Sequence, residues 1–246
     1  MKDNLLTVSN LKKIYHTKSN ETLAIDNVSF NIKEKEFISI VGPSGCGKST
    51  ILGILAGLLP KTDGNIHFKK DISIGYMMQD EALFPWKNVL ENATLGLDIK
   101  KKVNKETKKY TTSLLEKYGL KDFIYSYPDN LSGGMKQRLA LIRTLAIKPD
   151  ILLLDEAFAS LDYQTRLKVC DDVYKIIKEE GKTSIMVTHD IQEAVSMSDK
   201  VIVLSKRPST IKSIYNIKLE NTTPSERRKD KGFNKYIDLI WKDLDV

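Results

Sequence analysis

The stretch Phe37-Ile38-Ser39-Ile40-Val41 runs directly into Gly42-Pro43-Ser44-Gly45-Cys46-Gly47-Lys48-Ser49. The first part is a short apolar run typical of a buried strand. The second part matches the pattern G-x-x-x-x-G-K-[ST], in which glycines let the backbone curl so that several N–H groups point at a phosphate. The N-terminus of the following helix adds partial positive charge. The position of the motif, between a strand and a helical pattern, predicts a phosphate-binding loop in an α/β fold.

The side chains that close this loop suit a nucleotide that carries a metal ion. Lys48 is expected to reach the β- and γ-phosphates, and the Ser49 hydroxyl is expected to ligate Mg²⁺. The alternative is a chance glycine-rich turn, and the flanking strand and helix argue against it.

A second strand ends in two carboxylates. The run Ile151-Leu152-Leu153-Leu154 is followed by Asp155 and Glu156. An acidic side chain at such a strand end is needed to hold Mg²⁺, and this role is predicted for Asp155. Glu156 is predicted to polarise the attacking water as general base. Without the phosphate loop, the same pattern would indicate only the exit from a strand.

A third motif is Leu131-Ser132-Gly133-Gly134-Met135-Lys136-Gln137. Ser132 is a good N-cap, and the two glycines after it leave the backbone accessible at the start of a helix that runs to about Ala146. This is a second helix N-terminus suited to an anion. The alternative is a plain serine-capped helix.

Alternation of apolar strands with helices predicts a parallel sheet covered on both faces. A purely helical block, from about residue 88 to 147, interrupts that alternation and is best placed as an inserted subdomain. The predicted strands are 6–11, 28–32, 37–41, 65–68, 74–78, 151–154, 184–187 and 201–204, with one more after Pro208, and the predicted helices are 48–59, 163–179, 191–197 and 236–241. Asp63-Gly64 is predicted as a turn.

Composition restricts the class of protein. With 246 residues, 41% hydrophobic and 29% charged, the chain is long and apolar enough for a folded α/β domain. Its apolar runs are too short to span a bilayer, and residues 1–4 lack the core of a secretory signal. Two scattered cysteines predict reduced thiols. The net charge of +7 comes from dispersed lysines, and only the dense run 100–109 is predicted as an exposed lysine-rich loop.

Taken with these motifs, four further marks make the sequence resemble the ATP-binding cassette (ABC) ATPase family over nearly the whole chain. Gln79 resembles the glutamine that senses Mg²⁺ and the attacking water, and Ser160-Leu161-Asp162 resembles a short loop that crosses the dimer interface. His189 resembles the switch histidine at the γ-phosphate, and Tyr15 sits where the family stacks an aromatic ring on adenine. Tyr15 also suits simple packing against the first strands.

The resemblance implies a fold, a mechanism and partners. The fold is a P-loop NTPase core with a parallel sheet flanked by helices, a small antiparallel β subdomain and an inserted helical subdomain. A single domain, 1–246, would then consist of the nucleotide-binding core with the β subdomain (1–87), the helical subdomain (88–147), and the rest of the core with the C-terminal tail (148–246). The family works as a head-to-tail dimer, in which ATP bound by Gly42 through Thr50 of one subunit meets Ser132, Gly133 and Gly134 of the other. Hydrolysis then drives transmembrane permease subunits. An extracellular solute-binding protein delivers the solute to these subunits. The chain is thus expected at the cytoplasmic face of the membrane, with no nucleic-acid partner.

Finer marks resemble the ATPases of nitrate, sulfonate and taurine importers. They include 79–86, 133–138 and 188–195. The sequence departs from this subgroup at two places. The stretch 64–79 is shorter than usual, which predicts a trimmed antiparallel sheet, and Met78 stands where an aromatic residue is common. A non-transport ABC protein usually carries two cassettes or a long coiled-coil insertion, and an exporter ATPase is commonly fused to membrane helices. The sequence has one cassette and no room for a second cassette or a coiled-coil insertion. Both alternatives stay open, and the solute cannot be predicted from the sequence.

Two local hypotheses remain. Cys46 lies at a helix N-terminus beside Lys48, which predicts a lowered thiol pKa, and an inert packing residue is the alternative. The apolar cluster Phe84-Pro85-Trp86 is either core packing or part of a groove that receives a short helix from a membrane subunit.

Overall fold

A computed structural model describes residues 4–16, 20–220 and 223–244. Residues 1–3, on which the signal-sequence prediction partly rests, lie outside this range. The described strands are β1 (Asn4–His16), β2 (Glu21–Lys33), β3 (Phe37–Val41), β4 (Asp63–Phe68), β5 (Ile74–Met77), β6 (Ile151–Asp155), β7 (Thr183–Val187), β8 (Lys200–Leu204) and β9 (Ile211–Asn216). The described helices are α1 (Lys48–Leu55), α2 (Val89–Ile99), α3 (Lys105–Lys117), α4 (Gly133–Ala146), α5 (Tyr163–Glu179), α6 (Ile191–Met197), α7 (Pro224–Arg227) and α8 (Phe233–Leu244).

The larger sheet has the strand order β5-β6-β7-β3-β8-β9. The pairs from β5 to β8 are parallel, and β9 joins antiparallel to β8. Every residue of β3, β7 and β8 is buried, as expected for parallel strands covered on both faces. The predicted parallel sheet is therefore confirmed. Because these strands run in one direction, the carboxyl ends of β3, β5, β6 and β7 meet at one edge.

The smaller sheet is antiparallel, with the order β2-β1-β4. Its inward side chains share a core cluster with β3 and α1, which places this sheet beside the phosphate loop. β1 and β2 are longer than predicted, and of the stretch 64–79 only β4 joins this sheet. The prediction of a turn at Asp63-Gly64 was wrong, since both residues belong to β4. Gly64 has a φ of 89°, and a Cβ there would lie 2.4 Å from the carbonyl oxygen of Asn10.

The helical block consists of α2, α3 and α4, and reciprocal N-caps set two of its boundaries. The Asn88 side chain accepts from the Glu91 N–H while Glu91 accepts from the Asn88 N–H, and Asn104 pairs with Thr107 in the same way. The second cap corrects one prediction, because Lys105 to Lys109 lie in α3 rather than in a loop. α1 also ends at Leu55, four residues early, because Gly57 adopts a left-handed φ of 73°.

Within the described residues, no helix combines the length and the apolar character needed to cross a bilayer. Cys46 and Cys170 are both buried free thiols.

Candidate active site at the sheet edge

The phosphate loop connects β3 to α1 and has the backbone that its motif requires. Gly45 and Gly47 have φ values of 73° and 107°, a left-handed region that favours glycine. Lys48 is buried, and its Nζ donates to the carbonyl oxygens of Gly42 at 2.8 Å and Pro43 at 3.1 Å. The lysine therefore folds back over the loop, with its charge held at the place where a phosphate would sit.

Cys46 is packed beneath this loop and is not exposed within it. Only 1% of the residue is accessible, and a Cβ on Gly42 would lie 2.8 Å from its Sγ. Burial raises the pKa of the Cys46 thiol, and the nearby Lys48 charge offsets this only in part. The predicted lowering of this pKa was therefore wrong, because the helix N-terminus and Lys48 favour the thiolate less strongly than burial disfavours it.

Asp155 ends β6 and is held by two hydroxyl groups. Ser49 donates from Oγ to Oδ1 at 2.8 Å, and Tyr76 donates from its phenol to Oδ2 at 2.6 Å. Burial first, and then the bond to Asp155, raise the pKa of the Tyr76 phenol, which stays a donor at neutral pH. Ser49 and Asp155, both predicted to hold Mg²⁺, are thus in direct contact. The role of Tyr76, which lies on the neighbouring strand β5 opposite Leu153, was not predicted.

Glu156 and His189 meet beside this pair. Nδ1 of His189 lies 3.3 Å from Oε2 of Glu156, and the histidine side chain is 60% exposed. Glu156 has a φ of 44°, and its N–H donates to the Val187 carbonyl at 3.0 Å. A left-handed glutamate is sterically costly, and such strain clusters at functional sites. The tie to β7 aims the carboxylate at the loop that carries His189.

Two further predicted residues stand at the rim of this edge. Gln79 follows β5 and is exposed. The phenol oxygen of Tyr15 lies 3.2 Å from Oγ1 of Thr50 in α1, and its ring lies 4.9 Å from the Lys13 ammonium. With 37% of Tyr15 exposed, one part of the ring is available for stacking. The structure thus gathers Tyr15, Thr50 and the phosphate loop at one place.

The motif at the start of α4 lies apart from this edge. Ser132 caps the helix by accepting from the Met135 N–H at 3.4 Å, and Ser132 and Gly133 are exposed. Gly134 packs on α5, since a Cβ there would lie 3.0 Å from Val169. Asp162 is the exposed N-cap of α5. No hydrogen bond or ion pair reported for the described residues joins 132–134 or Asp162 to the phosphate loop.

The loop after Gln79 is fastened to α4 by two side chains whose role the sequence did not reveal. Gln137 is fully buried and donates from Nε2 to Oε1 of Glu81 at 2.8 Å. Arg143 donates to the carbonyl oxygens of Glu81 and Ala82. Burial lowers the pKa of Arg143, which remains charged. A buried glutamine in α4 was the available signal, but its partner lies 56 residues earlier in the chain.

The end of the same loop presents aromatic rings to solvent. Trp86 is 71% exposed and stacks on Phe84 with ring centroids 5.0 Å apart. Asn92 holds the loop by accepting from the Phe84 N–H and donating to carbonyl oxygens on both sides of Trp86. Tyr125, which is 79% exposed, lies in the segment bonded to the start of α2. The interpretation of Trp86 as a core residue is therefore excluded.

Comparisons with known proteins agree with this arrangement. The model of the ABC transporter family matches residues 25–159. The ABC transporter ATP-binding protein YtlC of Bacillus subtilis is 42% identical, over 97% of this chain and 95% of its own length. The taurine import ATP-binding protein TauB of Pelagibacter ubique is 40% identical, over 86% of this chain and 83% of its own. The nitrate import ATP-binding protein NrtD of Synechocystis is 36% identical, over 96% and 93%.

Solved structures give the same result. The dimeric ATP-binding cassette MJ0796 bound to ADP and Pi superposes with a TM-score of 0.72 and 33% identity, over 87% of this chain and 99% of its own. CbiO1 of Clostridium perfringens, part of the ABC transporter complex cbiONQ, superposes with a TM-score of 0.78 and 28% identity, over 97% and 96%. The chain belongs to the ABC transporter family and is an ATP-binding ATPase with the P-loop fold.

Proposed function

We propose that this chain is the ATP-hydrolysing subunit of an ABC importer for a small solute. The observation that carries the proposal is the convergence of four elements at one sheet edge: the phosphate loop, the Ser49–Asp155 pair, the Glu156–His189 pair and Gln79. The names of TauB and NrtD support import of a taurine-like or nitrate-like solute. Because the solute is chosen by other subunits, the cargo class rests on these names alone.

The residues present fit ATP and Mg²⁺. The Ser49 hydroxyl and the Asp155 carboxylate already touch, and hard oxygen donors are what Mg²⁺ prefers. When bound, the ion would neutralise phosphate charge. The backbone N–H groups of 42–50 and the Lys48 ammonium would hold the phosphates, Tyr15 would stack on the base, and Gln79 would face the metal and the water.

Glu156 is assigned the general base. Its carboxylate would accept the proton of the attacking water. His189, within reach of that carboxylate, would orient it and contact the terminal phosphate. Glu156 follows the carboxyl end of β6, His189 follows that of β7, and the two strands are adjacent.

A second subunit is needed to complete the site. Ser132 and Gly133 are exposed at the start of α4, with the buried Gly134 directly after them, and in the described residues this helix N-terminus is not linked to the phosphate loop of its own chain. We propose that these three residues bind the nucleotide of a head-to-tail partner, with Asp162 at the interface. The dimeric state of MJ0796 supports this arrangement.

The exposed ring of Trp86, stacked on the half-buried ring of Phe84, supports a groove for a short helix of a permease subunit. Gln137 and Arg143 would transmit movement at Gln79 to α4 and its helical subdomain, taken as 88–147 between the core segments 1–87 and 148–246. The chain would then sit at the cytoplasmic membrane face, coupled through the permease to an extracellular solute-binding protein.

The test is the variant Glu156→Gln, with Glu116→Gln, an exposed glutamate of α3, as control. We expect unchanged ATP binding, turnover slowed about 100-fold or more, and an ATP-dependent dimer on size-exclusion chromatography. The control should match the unmodified chain in all three. Near-normal turnover of Glu156→Gln would move the base role elsewhere, with His189 next, and a monomer under saturating ATP would contradict the shared site.

A further inference from the structure

Both neighbours of His189 are tied to the start of α6. Thr188 donates from Oγ1 to Oε2 of Glu193, a residue that is only 4% exposed. The Asp190 N–H donates to Oγ1 of Thr188 at 3.1 Å, and Oδ1 of Asp190 accepts from the Glu193 N–H at 3.0 Å. These bonds fix the backbone on each side of His189, so the position of the imidazole depends on where Asp190 is held.

Asp190 is held from the other side by Arg166 of α5. Nη1 of Arg166 lies 3.5 Å from Oδ2 of Asp190, and Nη2 donates to the carbonyl oxygen of Leu161 at 2.8 Å. The Arg166 side chain is 24% exposed, and its Nε is buried without a hydrogen-bond partner in the structure. The guanidinium therefore spans two loops, the one that carries His189 and the one that comprises 160–162.

Helix stability does not account for this arginine. Arg166 lies in the first turn of α5 and faces the N-cap of α6. A positive charge near a helix N-terminus opposes the helix dipole, and here it does so at two helices. The planar guanidinium of Arg166 instead suits a position at which one rigid group contacts the Asp190 carboxylate and the Leu161 carbonyl oxygen at the same time.

We propose that Arg166 is a positioning residue that couples the loop 160–162 to His189. The inference rests on the proposed function, in which that loop meets the partner subunit. A shift of the Leu161 carbonyl on partner contact moves the guanidinium, which moves Asp190 and with it the imidazole beside Glu156. Arg166 thereby links arrival of the second subunit to the alignment of the catalytic pair within the first, without touching the nucleotide.

The experiment compares variants of the full chain in steady-state ATP hydrolysis. Arg166→Met removes both contacts, and Asp190→Asn removes the ion pair while keeping a good helix cap. Arg166→Lys keeps the charge but not the planar guanidinium, and Lys168→Met is the control for loss of a positive charge from an exposed position of α5. The second readout is ATP-dependent dimer formation of Glu156→Gln with and without Arg166→Met. Thermal unfolding of each variant is the third.

We expect Arg166→Met to lower kcat about 3- to 30-fold with KM for ATP within about 2-fold, a range typical of residues that carry coupling. Asp190→Asn should also lower kcat. The double variant Arg166→Met/Asp190→Asn should have a kcat no lower than that of Arg166→Met alone, and the kcat of Arg166→Lys should lie between those of Arg166→Met and the unmodified chain. Dimer formation and the unfolding temperature should be unchanged, as should every property of Lys168→Met.

Two results would overturn the inference. One is a normal kcat in Arg166→Met. The other is a loss of kcat that accompanies equal losses of dimer and of thermal stability, which would indicate a structural role. Either is distinguishable from failure of the proposed function, because that failure would appear in the unmodified chain and in Glu156→Gln, before Arg166 is changed.

Discussion

Asp155 illustrates how the direction of one side chain of the site is set by its neighbours. Its two oxygens accept from Ser49 of α1 and from Tyr76 of the neighbouring strand β5. Hydrogen bonds to a charged acceptor are short and strong, and they fix the direction of its remaining lone pairs. Residues that orient a metal ligand in this way are nearly as important as the ligand itself. Tyr76 therefore belongs to the proposed Mg²⁺ site.

The variant Tyr76→Phe keeps the ring and removes this hydrogen bond. We expect the Mg²⁺ concentration that half-saturates ATP hydrolysis to rise roughly 10-fold, because Asp155 loses one of its two anchors. The free energy of unfolding should fall by only about 1 kcal/mol, since the half-buried ring still packs. Tyr163→Phe, at an exposed tyrosine, is the control. An unchanged Mg²⁺ requirement would show that Ser49 orients Asp155 alone.

Cys46 provides a second prediction at this scale, with the sign worked out from its environment. The pKa of the buried thiol is raised, so the thiolate that reacts with alkylating reagents is scarcer at neutral pH than in a free cysteine. Iodoacetamide at pH 7.5 should label neither Cys46 nor Cys170 in the folded chain, and both should react in denaturant. Rapid labelling of Cys46 that Mg-ATP suppresses would mean that the thiol faces the nucleotide.

At the scale of elements, local chemistry determined some boundaries and distant contacts determined others. α5 and α6 begin and end where the sequence predicts, because Asp162 and Asp190 cap their first turns and accept from the backbone three residues on. β1 and β2 extend beyond their predicted ends because their outer residues pair with each other across the two strands, as Ile14 does with Leu23 and His16 with Glu21. The roles of Tyr76 and Gln137 could not be predicted because their hydrogen-bond partners are remote in the sequence. Their partners lie 79 and 56 residues away.

The loop 79–88 connects these element contacts to the site. It leaves β5 at the catalytic edge, is gripped by Gln137 and Arg143 of α4, and ends at the Asn88 cap of α2. A rigid helix that bonds to the middle of a loop moves with it, so α4 follows any displacement of that loop. Its exposed N-terminus, which carries Ser132, would follow as well. The loop after Gln79 and the start of α4, which are separate motifs in the sequence, are thus connected through Gln137 and Arg143.

At the scale of the whole molecule, the loop 79–88 reaches the surface at the stacked rings of Phe84 and Trp86. A ring that is 71% exposed contributes little to folding, and exposed aromatic residues are frequent anchors of protein interfaces. We expect Trp86→Ala to leave basal hydrolysis of the isolated subunit within about 2-fold, and to weaken assembly with its permease by about 2 kcal/mol or more, roughly 30-fold in affinity. Transport should fall in parallel.

The control for this last variant is Trp241→Ala, at the other tryptophan, which is 52% exposed on α8. It removes the same ring from a different face, so both hydrolysis and transport should stay normal. The measurements are ATPase rate and thermal unfolding of the isolated chain, and solute uptake by the assembled complex. Normal uptake by Trp86→Ala would exclude the groove, and equal losses of hydrolysis and uptake would contradict a role of this ring in assembly alone. If only Trp86→Ala keeps normal hydrolysis and loses uptake, then ATP hydrolysis at the sheet edge and its coupling to the permease depend on different residues.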